Sequence, residues 1–214
     1  MKRPSKLVIA VDGPAAAGKG TLAKALAQAL GLPYLDTGLL YRAVARRTLD
    51  AGADPREDAT SFAKALEPRD LERKDLREAE IDQAASLVAK QPGVRAALLE
   101  RQRHFGQVSG AVIDGRDIGT VVFPQADMKF FITASPEIRA QRRYLQRFGS
   151  LAVSHEGLQK EIDAIIKRDQ QDASRDVAPL KPAQDAVEIL TDQLSAEDVL
   201  QKALEIMRKR GFVE

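Results

Sequence analysis

The stretch from Gly13 to Thr21 carries the clearest chemistry in the chain: Gly13, Pro14, Ala15, Ala16, Ala17, Gly18, Lys19, Gly20 and Thr21 in succession. Glycines on either side of a lysine let backbone N–H groups turn inward around an anion, and the lysine then reaches the β- and γ-phosphates of a nucleotide. The strict phosphate-loop pattern puts Ser or Thr directly after the lysine; here Gly20 stands there and Thr21 comes one position later. An ordinary strand–turn–helix junction also uses glycine for its bend, but it does not call for a lysine at this spacing.

Transfer of a phosphoryl group is mostly positioning and charge neutralisation, so a second anion facing the first needs its own cations. Arg42, Arg116, the adjacent pair Arg142 and Arg143, and Arg168 and Arg175 all fall near expected strand ends or beside one loop. Taken singly, each arginine reads equally well as a solvated surface charge. Taken together they suit an anion site, since each charge-assisted hydrogen bond contributes roughly 1.5–3 kcal/mol. Asp114 and Asp36 each end an apolar run, where a carboxylate holds Mg²⁺ directly or through water, or caps a turn.

The elements that must position these groups follow from hydrophobic pattern. Leu7 to Val11 is a continuous apolar run, as in a strand covered on both faces. Thr21 to Leu30 places Leu22, Leu26 and Leu30 at helical spacing and stops at Gly31. Leu32–Leu35, Ala111–Ile113, Met128–Ile132 and Ala186–Leu190 read as further strands. Helices are expected over Leu39–Leu49, from Ser135-Pro136-Glu137 onward, over Glu156–Gln171 and over Ser195–Arg210. Strands alternating with helices predict an α/β fold, a doubly wound parallel sheet of five strands with helices on both faces. Between Ala51 and Arg101 the chain is helical and highly charged; Glu67 to Glu80, with little to bury, reads as a solvated, mobile segment.

Composition narrows the function classes. The 214 residues carry a formal charge of +2, 44% hydrophobic and 5% aromatic residues; a near-neutral, aromatic-poor chain is a poor candidate for a dedicated nucleic-acid binder. No cysteine is present, which excludes disulfides, zinc knuckles and thiol nucleophiles, and two histidines are too few for a multi-histidine metal site. No apolar run is long enough to span a bilayer or to form a signal-peptide core, so the expectation is a cytoplasmic protein without membrane or nucleic-acid partners. Of the 33 basic residues 20 are Arg, a bias toward bidentate oxyanion contacts.

The Gly-Lys-Gly-Thr order resembles nucleoside monophosphate kinases rather than switch GTPases, and no Asn-Lys-x-Asp motif occurs. Over nearly its whole length the chain is similar to bacterial cytidylate kinases. The resemblance rests on Val11 to Pro14 with Gly18 to Thr21, on Leu35 to Gly38 with Tyr41-Arg42, and on Ala84 to Ala89 with Val94-Arg95. It continues through Asp114-Gly-Arg-Asp-Ile-Gly-Thr-Val-Val-Phe-Pro124, Arg142-Arg143, Lys167 to Asp169 and Arg175 to Leu180. The Asp-Gly-Arg-Asp block is the most specific of these.

What the resemblance implies is an ATP-dependent enzyme, expected as a monomer, that phosphorylates CMP and dCMP to CDP and dCDP with Mg²⁺. Its parts would be a phosphate-loop core over residues 1–54 and 102–214, a nucleotide-monophosphate-binding insert over 55–101 and a short lid about 144–156. Residues 13–21 would bind ATP, and Lys19, Arg116, Arg142, Arg143 and Arg175 would serve the transfer. Ser86, Arg95 and Asp117 would read cytosine, and Arg168 and Asp172 would hold the sugar. Thr37, Tyr41, Arg42, Arg116 and Arg175 would line or orient the acceptor phosphate. Thr21, Asp36 or Asp114 would meet the metal. Nothing in the residues alone singles out Ser86 and Arg95. The chain departs from the family in Thr37 where Ser is common, in Ala15-Ala16 where Ser-Gly is frequent, and in the charged insert, which lacks the alternating apolar pattern of a β-rich stretch. A kinase for another nucleoside monophosphate or small acceptor is the nearest alternative, followed by a nucleotide-gated switch without an acceptor.

Overall fold

A computed structural model describes residues 6–149 and 154–213. Five strands, β1 (Val8–Asp12), β2 (Tyr34–Asp36), β3 (Ala111–Gly115), β4 (Met128–Thr133) and β5 (Val187–Leu190), form one sheet in the order β2-β3-β1-β4-β5. Every pairing is parallel. The helices are α1 (Lys19–Leu30), α2 (Thr37–Asp50), α3 (Thr60–Lys64), α4 (Ala79–Val88), α5 (Pro92–Ser109), α6 (Pro136–Phe148), α7 (His155–Ala173) and α8 (Ala196–Lys209). The order explains the first apolar run. β1 lies at the centre, so Ile9 and Val11 pack under α1 and α8 on one face, while Ala10 joins Ile113, Ile118 and Val122 on the other. Both faces are covered, and a strand in that position has no polar side to show.

Local signals set the helix ends. Ser135 accepts a hydrogen bond from the Ile138 N–H at the start of α6, with Pro136 at the first helical position. Ser195 and Asp198 close a reciprocal capping box on α8. Gly31, at φ 64°, ends α1.

The charged insert differs from its expectation. Residues 67–80 are not a solvated run without a core: two 3-10 turns, Pro68–Glu72 and Lys74–Arg77, bring Leu76 to 1% exposure. Leu76 joins Leu40 and Val44 of α2, Ala63 of α3, Ala85 and Val88 of α4, and Val94 and Leu98 of α5 in a second hydrophobic cluster, with Leu71 packed against it. The charges face outward and pair, Arg47 with Asp70 at 2.6 Å and Arg73 with Asp75 at 2.8 Å. Two leucines on separate short turns give no helical or strand period, which is why the pattern was silent. The expected boundary at residue 101 falls inside α5, a continuous helix that carries the insert's cluster at Val94 and Leu98 and reaches the sheet face at Leu99 and Phe105. Of the expected lid, about 144–156, residues 150–153 lie outside the described residues.

Candidate active site

The C-terminal ends of β1, β2 and β3 open into a cleft of about 620 Å³. Ligands in open parallel sheets bind outside these ends because the connecting loops and helix N-termini converge there. Ala15 to Leu22 form one wall, α2 and α4 the facing wall, and α6 and α7 a third side. Gly13 and Pro14 stand behind the lining. Gly13 has φ 148°, and a Cβ there would lie 2.0 Å from the Ile132 carbonyl oxygen, so only glycine lets β1 leave the sheet beside β4.

The loop ends in Gly18, left-handed at φ 95°, with no side chain capping the first N–H groups of α1. Those donors face the cleft, a ready site for an anion. Gly20, the departure from the strict motif, has a local cause. A Cβ there would come within 2.9 Å of Asp114 Oδ2, which already accepts a hydrogen bond from Tyr34 Oη at 2.8 Å. Lys19 Nζ lies 3.9 Å from Asp114 Oδ1. Burial, reinforced by the nearby Arg116 cation, pushes the Lys19 amine down to about 8.

Asp36 and Asp114 are register partners on adjacent strands, so their carboxylates stand side by side at the strand ends. Burial, and then the neighbouring Asp36 charge, push Asp114 above the usual carboxylate range against the pull of Lys19. Thr37 is buried, and its hydroxyl donates to the Asp114 carbonyl at 2.8 Å. Thr21 is exposed on the first turn of α1. Asp12, at the end of β1, was not singled out from the sequence. It accepts from the N–H groups of Ile118 and Gly119 at 2.8 and 2.7 Å and so anchors the Asp114-Gly-Arg-Asp loop and the π turn Ile118–Val122 that follows.

On the far wall Asp172 of α7 accepts from Arg116 Nε at 2.9 Å and from Arg175. The Nε atoms of Arg168 and Arg175 are buried with no hydrogen-bond partner among the described residues. A buried guanidinium N–H without an acceptor costs roughly 1–3 kcal/mol or more, and two in one cleft mark where an incoming acceptor belongs. Burial, then repulsion from Arg116, pushes Arg168 down to about 10. Arg95 pairs with Asp117, donates to the Ala89 carbonyl at 3.2 Å, and lies 5.6 Å from the centre of the Tyr41 ring. Ser86 Oγ donates to the Asp82 carbonyl at 3.1 Å.

Arg142 and Arg143, neighbours on α6, diverge, and neither is plain surface. Arg142 donates to Thr191 O and Oγ1 at 2.7 and 2.9 Å, and Thr191 Oγ1 donates to the Ala17 carbonyl at 3.0 Å, so Arg142 buttresses the phosphate loop. Arg143 turns toward Asp82 of α4 at 3.3 Å. Every predicted side chain from Thr37 onward lines the one cleft. Four other contributors escaped the sequence reading. Asp82 and Arg77 line the cleft; Arg139 is buried, donates to Ala15 and Ala134 carbonyls at 3.3 and 2.9 Å and pairs with Asp169; Thr191 directly follows β5. The polar residue that closes an apolar strand was the available signal for Thr191; Asp82, one helical turn before Ser86, had a weaker one. His104 is exposed on α5 and outside the cleft.

A glycine–lysine nest at the head of a parallel sheet, facing a wall of arginines, defines the P-loop kinase class. The fold agrees: a gluconokinase from Sinorhizobium meliloti 1021 superposes with a TM-score of 0.51 at 16% identity, over 97% of this chain and 94% of that one. An uncharacterized protein from Eubacterium ventriosum ATCC 27560 gives 0.54 at 14%, over 95% and 99%. The sequence narrows the class. The family model described as cytidylate kinase matches residues 9–209. Proteins named cytidylate kinase from Granulibacter bethesdensis and Acidiphilium cryptum are 56% and 53% identical over 96% and 98% of this chain, and 98% of each relative. The chain belongs to the cytidylate kinase family.

Proposed function

We infer that this protein transfers the terminal phosphoryl group of ATP directly to CMP, and to dCMP, giving CDP and dCDP. The observation that carries the reading is the pairing of two anion sites in one cleft: the open N–H groups and Lys19 on one side, and Arg116, Arg168 and Arg175 gathered around Asp172 on the other. A tetraanionic donor and a dianionic acceptor repel, and opposed cations offset that repulsion while holding donor and acceptor in line. The attacking atom is a phosphate oxygen, already ionised above roughly pH 6, so no side chain has to remove its proton.

Lys19 and the nest hold the donor phosphates, and Arg142 keeps the loop in shape through Thr191 and Ala17. Arg42, Arg116 and Arg175 take the acceptor phosphate, with Tyr41 and Thr37 beside them, and Arg168 with Asp172 takes the sugar. Ser86, Arg95 and Asp117 read the base: a carboxylate accepts from the cytosine amine, while uracil presents a carbonyl oxygen to it, leaving a buried polar group unpaired. Asp36 and Asp114 fit Mg²⁺. They are paired oxygen donors at neighbouring strand ends, which suits an ion that fills the rest of its shell with water and phosphate. Bound with nucleotide, the ion would neutralise phosphate charge, held by Asp36 and Asp114 and, through its hydroxyl, by Thr21. The reading also implies a cytoplasmic monomer. No helix among the described residues is long and apolar enough to cross a membrane.

The test is an acceptor panel with the purified chain: CMP, dCMP, UMP and dTMP with ATP and Mg²⁺, following ADP. Acceptor-dependent turnover that clearly favours the cytidine nucleotides is expected. Equal turnover of CMP and UMP, or ATP hydrolysis indifferent to any acceptor, overturns the assignment.

A further inference from the structure

Asp82 is gripped by cations from three separate elements. Its Oδ1 accepts from Arg42 Nε at 2.9 Å, with Arg42 Nη2 at 2.8 Å. Its Oδ2 faces Arg143 Nη2 at 3.3 Å and Arg168 Nη1 at 3.4 Å. Arg42 belongs to α2, Arg143 to α6 and Arg168 to α7, while Asp82 rides on α4 of the insert. The carboxylate is 17% exposed. We propose that Asp82 is a positioning residue, which holds Arg42, Arg143 and Arg168 in the geometry that receives the acceptor nucleotide.

The physical need is plain. Three guanidinium groups drawn toward one partly desolvated point repel one another, and each long side chain carries rotamer entropy that favours splaying into water. A single fixed anion offsets the repulsion and orders all three before any nucleotide arrives. The detail at Arg42 shows which side is left free. Its Nε and Nη2 edge is held by Asp82, while Nη1 lies over Gly38, 3.0 Å from where a Cβ would be, in the Asp36-Thr37-Gly38 turn. Arg42 is thus held from behind with a donor aimed at the acceptor side. Asp82 itself touches no phosphate, being of the same sign. The surrounding cations keep its carboxyl below the usual range despite burial, so the clamp is present throughout the neutral range. Arg143 is steadied from its other edge by Glu161, at 3.5 Å from Nε. Because Asp82 sits on α4 and two of its partners on α6 and α7, the same contact ties α4 to both of those helices.

The inference rests on the reading of an acceptor site in this cleft, and its test is separable from that reading. Steady-state kinetics on the full chain are measured for Asp82→Asn, Asp82→Ser and Asp82→Glu, with the acceptor that the wild-type panel selects, CMP by the present assignment. For Asp82→Asn and Asp82→Ser, KM for the acceptor rises roughly tenfold, the loss of about one charge-assisted contact, while KM for ATP stays within about twofold. Asp82→Glu restores most of the difference. A lower acceptor KM in Asp82→Asn overturns the proposal, because it shows the carboxylate competing with phosphate. Unchanged acceptor KM, or an equal rise in both KM values, overturns it as well, the latter showing a general structural loss. A wild-type chain without CMP turnover refutes the substrate and leaves the positioning test to be read with the acceptor found.

Discussion

Raising the pH tests the phosphate loop through Lys19. The side chain is 13% exposed, its nearest counter-charge is 3.9 Å away, and Arg116 adds a like charge. An ordinary lysine titrates near 10.5, and this one is pushed down to about 8, a penalty on the charged form of about 3 kcal/mol. Above that pH the free enzyme presents a neutral amine to the donor phosphates. The value of kcat/KM for ATP should therefore fall about tenfold per pH unit above 8, since it reports groups of the free enzyme. The value of kcat should hold to higher pH, because bound phosphate favours the protonated amine. Direct chromatography of the nucleoside diphosphate product avoids coupling enzymes that titrate themselves. Lys19→Arg supplies the control: a guanidinium keeps its proton in this range, so its kcat/KM profile lacks the limb whatever its absolute rate. A wild-type kcat/KM flat to about pH 10, or the same limb in Lys19→Arg, refutes the reasoning. The sign for stability is opposite. The folded pKa lies below the unfolded one, so between about 8 and 10.5 the folded state binds fewer protons and stability rises with pH.

Leu76→Ala should cost about 2–5 kcal/mol in urea unfolding, a loss that a solvated insert would not show. Ala16 has φ 60° in the phosphate loop; the left-handed region penalises a Cβ by roughly 1–2 kcal/mol, and glycine gives back about 0.4–1 kcal/mol as unfolded-chain entropy. Ala16→Gly should accordingly raise stability by about 0.5–1 kcal/mol, and a lower melting temperature would count against strain at that position. Amide exchange over residues 55–100 should slow more with CMP than with ATP, because the acceptor wall is built on α2, α4 and α5; no CMP-dependent protection there removes the insert from closure. His104→Ala should leave kcat/KM within about twofold of wild type, and a large loss would oppose a mechanism without a histidine.

Much of the site was legible because its parts are short in sequence. An apolar strand, a glycine-rich turn with one lysine and an apolar-periodic helix specify their own backbone, and that backbone is the nest we assign to the donor. The polar residues that end the strands follow from the same logic: Asp36 and Asp114 lie side by side because parallel register aligns the strand ends. Arg116 was legible as an arginine directly after the Ala111–Asp114 run, whereas Asp117 came with the family block, and the likeness alone pointed to Ser86 and Arg95.

What only the tertiary structure decided is who pairs with whom. Asp82 and Arg168 are 86 residues apart, and Arg116 and Asp172 are 56 apart; no local pattern relates such pairs, because their approach depends on how α2, α4, α6 and α7 pack around the sheet. The same holds for Leu71 and Leu76, whose burial is set by neighbours on α2 and α4 and not by any period of their own. Arg139 looks like any charge on an amphipathic helix until Ala15 and Asp169 arrive beside it. Backbone geometry is written by adjacent residues, whereas the partner that neutralises a buried charge is chosen by packing across the chain. The sequence by itself therefore determined the nest, the sheet and the family, and the fold determined the charge pairs that gather on the cleft's arginine side.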